Sequence, residues 1–193
     1  NISKAFLRMK NYMKEIFKKT ACRVCQKSVL SKVLTLGPTP PANAFLTKTQ
    51  INEEEKFYPL DIYFCTSCGF VQLGHVVSPQ ILFKDYLYVS STSKVFIKHF
   101  EAMAEHLYPL FHLNSKSLVV DIGSNDGILL KPFKELGTKV LGIEPAANIA
   151  KIARAEGVET VSDFFSINLA QDVVKKYGQA DLVTATNVFA HID

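Results

Sequence analysis

Apolar positions recur along this chain with two different periods, and the second half is the more regular. Between residues 94 and 108, Val95, Phe96, Phe100, Met103, Ala104 and Leu107 follow helical spacing, and Pro109 is expected to stop the run. Beyond it, short apolar runs alternate with amphipathic stretches. The pattern predicts strands over 118–122, 139–143, 158–161 and 181–186, with helices up to Gly137, over 147–156 and over 166–177. Short runs rich in Val and Ile read as fully buried strands, and strands alternating with helices make crossover units and a parallel sheet. Pro132 falls inside the first of these helices and should kink it, at about 3 kcal/mol, unless it lies in the opening turn.

The first half is less periodic. Residues 2–18 place Ile2, Phe6, Met9, Met13, Ile16 and Phe17 at helical spacing among lysines and an arginine, which predicts a basic amphipathic helix over residues 1–20. Its apolar stripe is expected to pack on its own domain or a partner rather than lie on a membrane surface. Between Leu36 and Phe45, three prolines within four residues require an extended or turned path. The alternation in 59–64 and the run 69–73 read as a hairpin. In the segment 82–93, Tyr86, Tyr88 and Ser90 alternate, so an extended chain would project three polar tips to one side. Such a row suits a pocket wall, or a linker whose tyrosines pack on a neighbouring domain.

Composition narrows the class. With 193 residues, 48% apolar and 21% charged, the chain is globular and long enough for one ordinary domain or two small ones. No apolar run approaches the roughly 20 residues of a membrane span. The N-terminus lacks a signal peptide's apolar core and cleavage site, so a cytoplasmic protein is expected, and an N-terminal Asn suggests a trimmed or partial chain. The net charge of +4 is local: residues 1–34 hold nine Lys/Arg and one acid, leaving 13 basic and 17 acidic residues elsewhere. A nucleic-acid partner is therefore disfavoured, because the region with the candidate chemistry is acidic.

All four cysteines fall in two pairs, Cys22-x-x-Cys25 and Cys65-x-x-Cys68. Two such pairs without a secretion signal point to a tetrahedral four-thiolate zinc site, structural because no coordination position stays open. The rival is a pair of redox motifs, disfavoured because no thioredoxin-like unit accompanies them. The predicted hairpin would cross this metal, and the small domain is placed at about 21–80.

The second candidate site follows strand 118–122, where Asp121-Ile-Gly123-Ser124-Asn125-Asp126-Gly127 brings two glycines four apart. The glycines allow a tight turn close to a ligand, and the amides opening the next helix are expected to face outward. The spacing is neither G-x-G-x-x-G nor a P-loop. Glu144 ends the second strand 17 residues past Gly127, near where an acid in such folds accepts ribose hydroxyls. The alternative is an acid favoured by the next helix's dipole. Asp163 and Phe164 follow the third strand, where adenine could be held, and the fourth delivers Asn187 and His191 at its carboxyl end.

Taken in order, C-x-x-C, L-G-x-x-P-x-A-N-A-F, P-L-x-I-x-x-C-x-x-C-G-x-V-Q-L, F-x-x-Y-x-Y-x-S-S, D-I-G-S-N-D-G, G-I-E-P and N-V-F-A-H-I resemble the zinc-containing sugar C-methyltransferases of bacterial deoxysugar pathways. The resemblance spans residues 21–193 and implies an α/β fold: a four-cysteine zinc domain, a connecting segment over 81–115, and a Rossmann-like class I methyltransferase sheet over 116–193. It implies S-adenosylmethionine (SAM) as cofactor and a nucleotide-linked keto-deoxysugar as substrate, methylated at C3 through an enolate. By matching motif, Cys22, Cys25, Cys65 and Cys68 would bind zinc. Asp121, Gly123, Ser124, Asn125, Asp126, Gly127, Glu144, Asp163 and Asn187 would line the cofactor site. Tyr86 and His191 would face the sugar, with Tyr88 and Ser90 beside them; His191 could instead simply cap a strand end. The family's sheet has seven strands, whereas about four are readable here, so a truncated chain is expected, inactive by itself and without the family's favoured general base. Two other readings stay open: a different small-molecule acceptor, or a zinc-ribbon module binding nucleic acid or a protein partner through its basic N-terminus.

Overall fold

The first described element departs from the sequence reading. The computed structural model describes residues 15–83 and 86–191, and the chain divides into two units, one ending at Phe83 and one beginning at Lys84. Ile16–Lys18 (β1), expected to close a helix, is a strand paired antiparallel with His75–Val77 (β5), Phe17 opposite Val76. A β-branched and an aromatic residue facing valines gain from cross-strand packing what a lone helical stripe would not supply. The remainder of the expected helix, residues 1–14, lies outside the described residues.

A strand missing from the sequence reading, Leu30–Thr39 (β2), lies antiparallel to Tyr58–Cys65 (β3). β3 pairs in turn with Val71–Leu73 (β4), forming the expected hairpin. The register of β2 slips between Lys32 and Leu34 and again between Thr35 and Pro38. Pro38 brings no N–H to the ladder, and a bulge accommodates it. Val33, Leu34 and Leu36 of β2 stay exposed, so no clean alternation marked the strand. A short helix, Pro79–Phe83 (α1), follows β5. Among the described apolar residues of this unit only Cys22, Tyr58 and Cys65 are buried, so its packing centre is the cysteine cluster itself.

The second unit opens with a segment, 86–93, that contains a 3-10 turn at Ser90–Thr92. Ser93 then caps Lys94–Leu110 (α2) by accepting from the Phe96 N–H. α2 runs through Pro109 rather than stopping before it: the Phe111 N–H reaches Leu107 O and the His112 N–H reaches Pro109 O. A proline in the last turn forfeits a single bond, and the helix ends one residue later.

Four parallel strands follow, Leu118–Ile122 (β6), Lys139–Ile143 (β7), Thr160–Val161 (β8) and Leu182–Thr184 (β9), in the order β8-β7-β6-β9. Between them come Leu130–Glu135 (α3), Ala147–Ala155 (α4) and Ile167–Tyr177 (α5). α3 begins late enough to put Pro132 in its opening turn, where no N–H is needed, and the feared kink does not arise. All five residues of β6 are buried. Val119 packs with Leu129, Phe133, Ala153 and Val158 on one face, beside Phe100 and Leu107 of α2. Leu118 and Val120 pack with Leu141, Ile143 and Val173 on the other, beside Leu169 of α5. This two-sided burial is what a parallel strand needs. The chain steps outward from β6 to β7 and β8, then returns to the far side of β6 as β9. That reversal makes the carboxyl ends of β6 and β9 the place where ligands bind in such sheets.

Candidate metal centre and cofactor turn

The four thiols converge. The Sγ atoms of Cys22, Cys25, Cys65 and Cys68 all lie within 4.8 Å of one another, with Cys22 to Cys68 and Cys25 to Cys65 at 3.6 Å. Four thiolates about 2.3 Å from one zinc ion stand about 3.8 Å apart along tetrahedral edges, so the cluster has the size that zinc requires. Both knuckles are built alike. The residue after each second cysteine, Gln26 at φ +60° and Gly69 at φ +77°, takes the left-handed conformation that folds the chain back around the metal. Gln26 N–H donates to Cys22 O and Gly69 N–H to Cys65 O, closing the two loops. The buried side chain of Gln72, on β4, ties one knuckle to the other: its Oε1 accepts from the Arg23 N–H at 2.9 Å, and its Nε2 donates to Ala21 O at 3.3 Å. Burial opposes ionisation of Cys65, but backbone N–H groups of Cys68 and Ser67 outweigh it and bring the thiol down to about 6. Against a hydrogen bond from the Phe70 N–H, burial and hydrogen bonds with the other three thiols push Cys68 the opposite way, so the cluster as a whole gives up its protons only to a cation that it ligates.

In the second unit the chain turns sharply out of β6. Gly123, Asn125 and Gly127 all have positive φ, at +69°, +50° and +80°. A Cβ on Gly123 would stand 2.5 Å from Val188 Cγ2, and one on Gly127 would stand 2.9 Å from Val158 Cγ2. Both glycines are thus fixed by conformation and by space. Four amides of the turn itself face inward. Those of Gly123 and Ser124 donate to Ile143 O, that of Gly127 to Ser124 O, and that of Asn125 to Glu144 Oε2 at 2.9 Å. α3 starts only at Leu130, beyond the turn. These four amides are taken up by the protein itself and are not offered to a ligand.

Carboxyl groups gather there instead. Asp121 Oδ1 accepts from Thr184 Oγ1 at 2.7 Å, across β6 and β9. Burial pushes the Asp121 carboxyl up to about 7, against the Thr184 hydrogen bond and with the nearby Glu144 charge. Burial also raises Glu144, opposed by the N–H groups of Ala146 and Asn125, which donate to its two oxygens. Asp126 is fully buried, and among the described residues neither of its carboxylate oxygens has a hydrogen-bond partner; Ser124 Oγ is equally without one. All four of these groups are buried, so the partly open residues of the turn that a cofactor could meet are Gly123 and Asn125.

The other predicted residues fall around the same edge. Asp163, exposed after β8, accepts from the Phe164 N–H; Asn187, exposed after β9 at φ +55°, precedes the Val188 that covers Gly123. His191 is exposed in the 3-10 turn Phe189–His191, its N–H bonded to Val188 O. The rings of Tyr86 and Tyr88 meet edge to face, with centroids 6.4 Å apart, so they share a side as the alternation predicts. Ser90 departs from that row by entering the 3-10 turn, and its N–H donates to Asn125 Oδ1 at 2.9 Å. The Asn125 amide is thereby turned toward residues 88–90. Three residues escaped the sequence reading: Thr184, Gln72 and Asn148. A lone hydroxyl in the apolar run of β9 was the available signal for Thr184; Gln72 stood in the motif C-G-x-V-Q-L without an assigned role, and Asn148 carried no signal, because each acts on main-chain groups far off in sequence.

Comparison with known proteins agrees with this geometry. Residues 22–83 match the family described as "Putative zinc binding domain", and residues 96–193 match the family described as "Methyltransferase domain". The C-methyltransferase NovU of Streptomyces niveus is 34% identical over 171 residues, which cover 89% of this chain and 41% of NovU. A ubiquinone biosynthesis O-methyltransferase of Methylobacterium sp. (strain 4-46) is 33% identical over 75 residues, 38% of this chain and 30% of that protein. The chain therefore spans well under half the length of these curated relatives. A solved SAM-dependent methyltransferase from Archaeoglobus fulgidus shares 21% identity over 39% of this chain and 33% of its own, at a TM-score of 0.33, too slight a likeness to argue from. A four-cysteine cluster of zinc dimensions and an acid-lined glycine turn at the sheet's reversal point thus stand in a chain that belongs to the methyltransferase family, with a zinc-binding domain ahead of its methyltransferase domain.

Proposed function

We propose that this chain belongs to a SAM-dependent C-methyltransferase that acts on a nucleotide-linked keto-deoxysugar. The observation that carries the reading is the reach of the similarity. The C-methyltransferase aligns over 171 residues, through both the cysteine pairs and the glycine turn, whereas the O-methyltransferase aligns over 75. When bound, SAM supplies an electrophilic methyl group. Gly123 to Gly127, with Asp121 and Asp126 buried beneath them, shape its seat, Glu144 is placed to accept from its ribose hydroxyls, and Asp163 and Asn187 border it from the loops after β8 and β9. On the acceptor, loss of a proton to a base from the carbon beside a ketone would leave a carbanion whose charge rests on the carbonyl oxygen, and that carbon would take the methyl as its bond to sulfur breaks and S-adenosylhomocysteine leaves. The Tyr86 hydroxyl is suited to donate a hydrogen bond to that oxygen, and His191 to hold or relay a proton near neutral pH. Tyr88 and Ser90 flank the acceptor. A zinc ion held by Cys22, Cys25, Cys65 and Cys68 would keep no open coordination position, so it would organise its domain and take no part in the chemistry.

Two measurements test this reading. Calorimetry should show SAM and S-adenosylhomocysteine (SAH) binding to the zinc-loaded protein. Incubation of the whole enzyme with labelled SAM and a nucleotide-linked keto-deoxysugar should give a product whose new methyl carbon is bonded to carbon by NMR. A methyl on oxygen, or transfer only to acceptors that are not sugars, would sink the C-methyltransferase assignment.

A further inference from the structure

Two asparagines that are far apart in sequence hold the same stretch of chain. The Asn148 Nδ2 donates to Tyr86 O at 2.6 Å, and the Tyr86 N–H donates back to Asn148 Oδ1 at 3.4 Å. Asn125 Nδ2 donates to Tyr88 O at 3.1 Å, and the Ser90 N–H donates back to Asn125 Oδ1 at 2.9 Å. Each side-chain amide thus offers a segment without strand partners one donor and one acceptor, as a neighbouring strand would. Asn125 sits in the turn after β6, and Asn148 is the second residue of α4, after β7. Residues 86–90 are therefore pinned across the carboxyl ends of two adjacent strands. The position of Asn125 suits this use twice over, because its φ of +50° is one that asparagine tolerates better than most residues and its amide still reaches the segment.

We propose that Asn148 is a positioning residue: together with Asn125 it clamps the main chain of residues 86–90 to the sheet edge and so sets Tyr86 and Tyr88 beside the cofactor turn. The ligands involved rest on the methyltransferase reading above; the clamp itself does not. Asn125 belongs both to the turn and to the clamp, so occupancy of the cofactor site and placement of the tyrosines are coupled through it. Asn148 touches only the clamp.

The experiment compares Asn148→Asp, Asn148→Ala and Asn148→Gln in the zinc-loaded full chain. Asp keeps the shape and is favoured in the first turn of α4, yet cannot donate to Tyr86 O, so it frees the segment without weakening the helix. Hydrogen exchange read by mass spectrometry should quicken about fivefold over residues 86–90 in the Asp and Ala variants, with α4 unchanged, and Gln should restore part of the protection. SAH affinity should stay within about twofold, while the acceptor KM of the whole enzyme rises about fivefold or more and the KM for SAM does not. Unchanged exchange over 86–90 in both variants overturns the clamp, and so does faster exchange of α4 together with a matching loss of SAH affinity. Failure of the unsubstituted protein to bind SAH would overturn the methyltransferase reading instead, with the exchange comparison still deciding the clamp.

Discussion

Asp121→Asn separates charge from shape at the carboxyl edge of the sheet. The Asp121 carboxyl has an ordinary value of 3.8 and is pushed up to about 7 in the fold, chiefly by burial. The folded state therefore retains a proton that the unfolded chain releases. Ionisation opposes folding, and stability falls as pH climbs from about 4 to about 7, then levels off. With those two values the opposing contribution is about 2 kcal/mol at pH 5 and about 4 kcal/mol at pH 8, an increase of roughly 2–3 kcal/mol. Asparagine keeps an oxygen for the Thr184 hydroxyl and removes the titration. Its Nδ2 enters a buried place without an evident acceptor, which costs about 1–3 kcal/mol, but that cost does not vary with pH. The test is therefore the slope and not the offset. Urea unfolding followed by circular dichroism, on both proteins at roughly pH 5 to 8, should show the difference between variant and wild type moving in the variant's favour by about 2–3 kcal/mol. Zinc ligation and distant acids are common to both proteins and cancel to first order, while Glu144, whose charge helps to raise Asp121, loses a like-charged neighbour in the variant and moves the difference in the same direction. A difference that stays within about 0.5 kcal/mol across that range would refute the assignment of a buried, proton-retaining carboxyl.

Three further outcomes are expected. Chelation, or Cys22→Ser, should release about one zinc per chain and abolish exchange protection in β2, β3 and β4 while β6 and β7 keep theirs; a metal content near zero in the purified protein would contradict this. Gly123→Ala forces a left-handed alanine, at about 1–2 kcal/mol, and sets a Cβ 2.5 Å from Val188 Cγ2, for about 1–3 kcal/mol more. Gly137→Ala, with φ +97° and nothing within 4 Å, provides the control for conformation alone, and equal unfolding midpoints for the two would show that the Val188 contact is immaterial. Gln72→Ala removes both bonds from that side chain to the first knuckle, should cost about 1–3 kcal/mol, and should speed zinc transfer to a competing chelator; an unchanged transfer rate would refute the bridging role.

What could be read beforehand follows from where each signal resides. β6 and β7 were legible to the residue because their short Val, Leu and Ile runs are bounded by polar residues and glycine, and the zinc ligands because ligand chemistry fixes both residue type and spacing. β2 was not legible: its pairing with β3 is carried by main-chain bonds, its apolar side chains are exposed, and Pro38 breaks its register. β1 misled because Ile16 and Phe17 fit a helical stripe as well as a strand, and the choice was made by His75–Val77, some sixty residues away. At the candidate site the acids and glycines were visible as a motif. The direction of the turn's amides was not, because it depends on Ile143 and Glu144 accepting them from the next strand.

The hold that Asn125 and Asn148 take on residues 86–90 is entirely on peptide groups. It asks nothing of the side chains it displays. Tyr86, Leu87 and Tyr88 can be exchanged in evolution without releasing the segment, since every replacement except proline at residues 86 or 90 brings the same N–H and C=O to the same amides. Anchorage and display are thereby separated, much as a framework carries a variable loop. A lineage with this arrangement is free to retune what it recognises at that edge while the register of the recognising residues is inherited intact.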